Sequence, residues 1–298
     1  RSAEHLETVI SFAPNVNISS GSSRGRYFQI RGIGERSQFV DPVNPSVGLM
    51  IDGIDMTGLG GAATLFDVQQ VEVLRGPQGT RFGANALAGM INIQTKAATK
   101  ETEGYVAGKF GNYNTHGQSA AISGSIADNV QGRLAVNSFQ SEGYMENEYL
   151  DKSNTNNLDE VVARGKIQWQ PDSDSEFRLT YLLVDIDNGY DAFTLDSSRN
   201  SLADEVGRDS QDTDAFAISY DRALSDALIL EIDASASWNQ TEYSYDEDWV
   251  SDSYPPNWGT VFDAYIRDEQ RDSIEIRLLS GENGKIFSST TDWVAGFY

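Results

Sequence analysis

The side chains richest in chemistry are acidic, and they sit among aromatics. Asp246, Glu247, Asp248 and Asp252 are interleaved with Tyr243, Tyr245, Trp249, Tyr254 and Trp258. Such a loop suits calcium or another divalent ion, or an organic ligand held against aromatic faces. A solvated surface loop is the plainer alternative. Asp185-Ile186-Asp187-Asn188-Gly189 opens like a calcium loop. Glycine holds its fifth position and no helical pattern follows, so EF-hand spacing fails. Glu231 and Asp233 share one face of a strand pattern, whereas a glycosidase needs two carboxylates converging from different strands. Arg31 and Arg75 each precede a glycine, and Glu72 lies three residues before Arg75. A guanidinium fork makes paired, charge-assisted bonds to carboxylate, here either locally (Glu72 with Arg75) or to a distant partner. Gly76–Gly83 lacks the Gly-Lys-Ser/Thr of a phosphate loop, and Gly32-Ile33-Gly34 lacks the third glycine of a dinucleotide fingerprint.

Composition narrows the classes further. The chain has 298 residues, 22 basic and 45 acidic side chains, and a net charge of −23. That argues against a nucleic-acid partner, because phosphate neutralisation needs Lys and Arg. Without cysteine there are no disulfides and no thiolate chemistry. The two histidines, His5 and His116, are far apart in sequence, and any triad or imidazole metal site must use one of them. No run of about 18 apolar residues is present, so no transmembrane helix is expected. Mean hydropathy is −0.43. Transmembrane β-barrels read the same way, because alternate residues face a wet lumen.

Two textures divide the chain, giving expected domains over 1–97 and 98–298. Leu6, Val9, Ile10 and Ala13 form one helical stripe, ended by Pro14. Glycine-rich sequence with short apolar runs follows: Phe28–Ile30, Val47–Ile51, Ile54–Met56, Val71–Leu74 and Met90–Gln94. Asp52-Gly53 between two such runs predicts a tight hairpin. The first unit therefore reads as a small α+β domain. Beyond the polar linker Ala97–Glu103, nine runs alternate with period two: Tyr105–Tyr113, Gly117–Ala127, Gln131–Ser141, Val161–Gln170, Glu176–Asp187, Ala215–Arg222, Leu228–Tyr243, Asp272–Ser280 and Ser288–Tyr298. No helical pattern interrupts them, so an antiparallel sheet is expected. Short turns alternate with long polar loops near Gly143–Glu160, Asn188–Asp214 and Asp246–Arg271, as in an outer-membrane barrel. Tyr113, Phe139, Trp169, Tyr220, Trp238, Tyr243, Trp293 and Phe297 fall near run ends, where interfacial girdles lie.

The first unit resembles the plug of TonB-dependent outer-membrane receptors, in the siderophore-receptor manner. The resemblance rests on Gln29-Ile30-Arg31-Gly32-Ile33-Gly34, Ile51-Asp52-Gly53-Ile54, Val71-Glu72-Val73-Leu74-Arg75-Gly76-Pro77-Gln78-Gly79-Thr80 and Phe82–Ile93, in that order. It implies a mainly β protein: a plug, then the N-terminal strands of an antiparallel transmembrane barrel whose plugged size class has 22 strands. Nine strands fall short of that, and an odd number does not close such a barrel. More strands are thus expected after Tyr298, and the TonB-contacting segment before Arg1. The family's function is active uptake of a scarce, bulky nutrient, most often a ferric siderophore, with cobalamin, haem and oligosaccharides as alternatives. A secreted carbohydrate-binding β protein and an open porin are the readings from other classes. The chelate would be cargo, with no cofactor and no enzymatic step. TonB, outer-membrane lipid, lipopolysaccharide and the small-molecule ligand are the implied partners. Arg31 and Arg75, with Glu72, are implied as plug–barrel anchors. Plug loops Glu35–Asn44 and Thr57–Leu65 would face outward, offering Arg36, Gln38, Phe39, Thr57 and Leu59 to ligand beneath Trp249, Tyr254 and Trp258.

Overall fold

A computed structural model describes residues 4–19, 21–36, 45–78, 86–255 and 261–298. The N-terminal unit opens with α1 (Leu6–Ile10), whose Leu6 and Ile10, one turn apart, are both buried. Burying each such side chain contributes about 1.5–3 kcal/mol. β1 (Val16–Ser19) pairs antiparallel with β2 (Tyr27–Ile30). β3 (Val47–Ile51), β4 (Ile54–Asp55), β5 (Val68–Arg75) and β6 (Gly89–Thr95) form a mixed sheet in the order β4-β3-β6-β5. β3 and β6 run parallel while their outer neighbours run antiparallel. Asp52 and Gly53 both have positive φ, 49° and 84°, as the hairpin between β3 and β4 requires.

Nine longer strands form a second, antiparallel sheet, the wall. They are β7 (Glu103–Phe110), β8 (His116–Ala127), β9 (Val130–Ser141), β11 (Leu158–Asp172), β12 (Ser175–Tyr190), β14 (Gly207–Ser225), β15 (Leu228–Asp246), β16 (Phe262–Ser280) and β17 (Val294–Phe297). Each pairs with the next in that order. Two-residue strands β10 (Glu146–Asn147) and β13 (Asn200–Ser201) join two of the long loops in parallel. Every period-two run of the sequence is one wall strand. Most differ by up to three residues at an end, as in β7, which stops at Phe110 rather than Tyr113, and three differ more. β14 starts at Gly207 rather than Ala215, β16 at Phe262 rather than Asp272, and β17 covers Val294–Phe297 rather than Ser288–Tyr298. The added stretches of β14 and β16 are charged, so alternation of apolar residues misses them; their neighbours' backbone ladders extend them. Phe287, Ser288 and Ser289 take positive φ, which breaks the strand read there.

Wall side chains alternate in environment. Val106, Ile122, Leu134, Val136, Ile167, Phe216, Ile218, Ile274 and Ile276 are exposed on one face, Val106 at 87%. Soluble proteins rarely expose so large a contiguous apolar area. Aromatic rings row across that face: Trp169 stacks on Phe177 at 5.1 Å, and Phe177 on Tyr220 at 4.2 Å. Such a row stands where an interface girdle is expected. Tyr243 is buried and Phe139 is over-topped by cations on the inner face, so those two leave the girdle expected from sequence. Strand parity decides this: inner and outer positions alternate, and both fall on inner registers.

The inner face receives the N-terminal unit. Leu6, Ile10, Leu49, Ile51, Ile91 and Ile93 share one core with the wall's Val162, Leu182, Val184, Ile186, Ala215 and Ala217.

Candidate functional site

The unit is tied to the wall by ions drawn from both sides. Arg133 on β9 grips Asp67 with Nε and Nη2, both at 2.6 Å, and reaches Glu103 at 2.9 Å. The Arg133 and Asp67 side chains are 3% and 2% exposed. Lys166 on β11 bonds Asp52 at 2.9 Å and the Thr95 carbonyl at 3.1 Å. Asp52 also accepts from the Thr95 backbone N–H and hydroxyl, so the hairpin tip is fixed from two directions. Arg164 donates to the Thr64 and Phe66 carbonyls, 2.8 Å each, with its guanidinium 4.2 Å above the Phe66 ring. Arg271 on β16 reaches the Thr57 carbonyl at 2.7 Å.

A second group lies toward the long-loop end of the wall. Arg24 forms a fork with Glu160 on β11, 2.7 Å on each arm. Arg26 pairs with Asp209 on β14, which also accepts from the Ser23 backbone N–H at 2.7 Å. Asn188 on β12 bridges the two, donating to Glu160 at 3.0 Å and Ser23 at 2.9 Å. Gly60 permits this seating, since a Cβ there would lie 2.0 Å from the Gly25 carbonyl oxygen. His5 rests beside it, with Nε2 2.8 Å from the Gly60 carbonyl. Burial first, then the positive Arg24, holds the His5 pKa down at about 4. It is neutral at pH 7, with Nε2–H the donor to Gly60.

Above this group the long loops build an aromatic, acidic mouth. Tyr190, Tyr243 and Tyr245 are buried together, with Phe193 and Tyr265 packed on them. Phe193 stacks on half-exposed Trp249, centroids 5.4 Å apart and planes 13° apart. Asp246, at the loop end of β15, is 5% exposed. It accepts from the backbone N–H groups of Asp204, Asp248 and Trp249, each at 3.2 Å. Burial, then the facing Asp248 carboxyl, then Asp204 push the Asp246 pKa up to about 7. Asp191 locks the neighbouring loop, taking bonds from Asn147 at 2.9 Å and Ser201 at 2.5 Å.

The residues singled out from sequence spread over several places. Arg31, with φ 55°, and Arg75 are exposed, and among the described residues neither makes an ion pair. Glu72 instead accepts from Gln70 at 3.0 Å and Asn92 at 3.1 Å. Thr57 and Leu59 are 2% and 3% exposed: the Thr57 hydroxyl accepts the Leu49 N–H at 3.0 Å and Leu59 fills the core. Their loop lies against the wall rather than opening outward, because its apolar side chains complete the shared core. Arg36 is exposed, and its carbonyl accepts the Ser19 hydroxyl at 2.5 Å. Trp249 and Tyr254 are at the mouth, partly exposed. Gln38, Phe39 and Trp258 lie outside the described residues. The interior ions Arg24, Arg26, Arg133, Arg164 and Lys166 were not singled out from sequence. For Arg133, Arg164 and Lys166 the signal is a charge at an inward register of a strand, as in Val162-Ala163-Arg164-Gly165-Lys166; Arg24 and Arg26, in Ser22-Ser23-Arg24-Gly25-Arg26 ahead of β2, carry no such pattern.

Comparison with known proteins agrees with this architecture. Residues 1–90 match the TonB-dependent Receptor Plug Domain model. The pesticin receptor of Yersinia pestis is 35% identical over 118 residues, 39% of this chain and 17% of the receptor. The ferric enterobactin receptor of Pseudomonas aeruginosa is 31% identical over 150 residues, 44% of this chain and 20% of that one. The crystal structure of the ferric yersiniabactin uptake receptor FyuA from Yersinia pestis superposes with a TM-score of 0.80 at 22% identity. That match covers 98% of this chain and 45% of FyuA. This chain therefore spans under half the length of the receptors it resembles.

Proposed function

Taking the chain as the plug and opening barrel strands of a TonB-dependent, siderophore-receptor-like protein of the bacterial outer membrane, we propose that the complete protein imports a ferric chelate. The observation that carries this reading is the seating of the plug. It is tied to the wall's inner face by Arg133–Asp67, Lys166–Asp52, Arg24–Glu160 and Arg26–Asp209, directly beneath an aromatic mouth. A porin would leave that space open, and a secreted sugar-binding protein has no use for a lipid-facing apolar wall.

The mechanism follows from these groups. Ligand captured at the mouth rests above the Arg24–Glu160 and Arg26–Asp209 pairs, which join plug apex to wall. TonB, energised from the inner membrane, pulls the plug from the periplasmic side. Ion pairs suit such a joint, since a broken buried pair recovers its geometry when the partners return, and the planar guanidinium fork re-registers on carboxylate. Neighbouring hydroxyls, amides and water rehydrate the separated charges. Arg31 and Arg75, exposed on the plug and without an ion pair among the described residues, keep their anchoring role in this proposal toward strands of the complete barrel. Outer-membrane lipid and lipopolysaccharide would contact the apolar wall face and the polar strand extensions above it.

Relatives named for ferric enterobactin and ferric yersiniabactin support iron over other cargo; a vitamin B12 transporter from Vibrio vulnificus at 24% identity keeps cobalamin in the comparison. The test is growth of a strain deleted for the full-length gene on single iron, cobalamin and glycan sources. Loss of growth confined to ferric chelates is expected. Loss confined to cobalamin or a glycan would overturn the iron reading, and unaltered growth on all would overturn uptake.

A further inference from the structure

Resting on the reading above, we infer that the mouth selects neutral or cationic ferric chelates and turns away polyanionic ones. Within the three long loops, residues 142–157, 191–206 and 247–255 carry eleven Asp and Glu against two cations, Lys152 and Arg199. Arg199 is engaged, donating to the Tyr113 hydroxyl at 2.8 Å. The guanidinium groups just beneath are also taken: Arg24 by Glu160, Arg26 by Asp209. Lys109, which stands over Phe139, is held by Glu4. Arg208 points outward to Asp187 at 2.7 Å. A trianionic chelate arriving here meets no free guanidinium among these groups and only Lys152 as an exposed loop cation, and each carboxylate it approaches raises its energy.

The mouth also has features that ask for the opposite kind of ligand. Among the described residues Asp204 Oδ1 is buried without a hydrogen-bond partner, although the other oxygen accepts the Asp252 N–H at 3.1 Å. An unmatched carboxylate oxygen calls for a donor such as an ammonium. Beside Asp204, across the Asp246 carboxylate that both backbones bond, Trp249 and Phe193 present a stacked aromatic face, which binds cations and flat apolar groups. A cleft of one charge sign changes the local concentration of charged solutes by about tenfold or more at low salt. The chemistry therefore favours a hydroxamate-like chelate, neutral or carrying a free amine, over a tris-catecholate.

Two readouts on the full-length receptor test this. In the first, Leu195→Cys and Tyr254→Cys, both at exposed mouth positions, are labelled with a cationic and an anionic methanethiosulfonate of equal size. The cationic reagent should react at least about tenfold faster, relative to a free thiol. The ratio should fall toward one when the Debye length shrinks from about 30 to about 8 Å with added salt. A ratio near one, or inverted, at low salt would overturn the inference. In the second, uptake of three ferric complexes is compared: a monocationic trihydroxamate, a neutral trihydroxamate and a trianionic tris-catecholate. The first two should enter at least tenfold better. Preference for the tris-catecholate would sink the inference while leaving iron uptake standing. Uptake of none would sink iron uptake, and the labelling ratio then decides the charge claim alone.

Discussion

Removing Asp67 should unseat the plug more than any single change elsewhere on its surface. Arg133 and Asp67 are almost wholly buried and share two 2.6 Å bonds. Asp67→Asn strands a guanidinium in the lumen with Glu103 as its remaining carboxylate, and Glu103 is half exposed. Breaking one side of a buried pair costs about 3–5 kcal/mol. Glu103 offsets part of it, so about 3 kcal/mol is expected, equivalent to roughly a hundredfold rise in opening. Arg133→Met should cost a similar amount, because the Asp67 carboxylate is then left unpaired. The double variant removes both charges, and its cost should fall short of the sum by about 2–3 kcal/mol. Hydrogen exchange in the full-length receptor reads this at the Leu65 and Lys96 amides, which bond Glu4 and Asp67 within the plug. Additive effects of under about 0.5 kcal/mol each would mean that the clamp does not hold the plug.

Three further outcomes follow from the same geometry. His5 stays neutral down to about pH 4, whereas an unfolded histidine takes its proton near 6.5. The unfolded state binds more protons between those values, so stability falls on acidification, by about 2 kcal/mol near pH 5, and exchange at the Leu6 amide should speed up; pH-independent exchange there would refute it. Asp246 runs the other way: its carboxyl, raised from 3.8 to about 7, binds more protons in the folded loop. The mouth should tighten as pH falls from about 8 to 5 and loosen as it rises through 7, seen as a Trp249 fluorescence shift. Asp248→Asn should move that midpoint down, and an unmoved midpoint would clear Asp248 of the effect. Ile274→Arg, on the lipid-facing side of β16, should cost about 2–4 kcal/mol in assembly into bilayers; full assembly into liposomes at wild-type denaturant concentrations would contradict a lipid contact there.

The fold was legible wherever one side of a pattern is apolar. β15 shows it best, with Leu230, Ile232 and Ala234 against Glu231, Asp233 and Ser235, and its register follows. Asp52-Gly53 announced its hairpin because few other pairs take positive φ twice. Legibility failed where charge replaces apolar alternation, as in Phe262–Arg271, where strand continuity comes from β15's backbone. It failed again for the plug–wall ties. Arg24 and Arg164 look like surface residues until a partner 136 residues away, or a carbonyl about a hundred away, is brought beside them. Motif matching pointed to Arg31 and Arg75 because they flank glycines, but nothing local says which guanidinium meets this wall. Thr57 and Leu59 lie in a loop, which by itself suggests an apical position. Their burial comes from the shared core, which is a property of two units together.

Accumulation of radiolabelled iron by cells lacking their own receptors, and carrying the full-length protein with or without working TonB, bears most directly on the account. Iron supplied as a neutral trihydroxamate should enter with TonB and stop without it, while surface binding persists in both. Entry that is indifferent to TonB, or absent when TonB works, would contradict a plugged, energised importer.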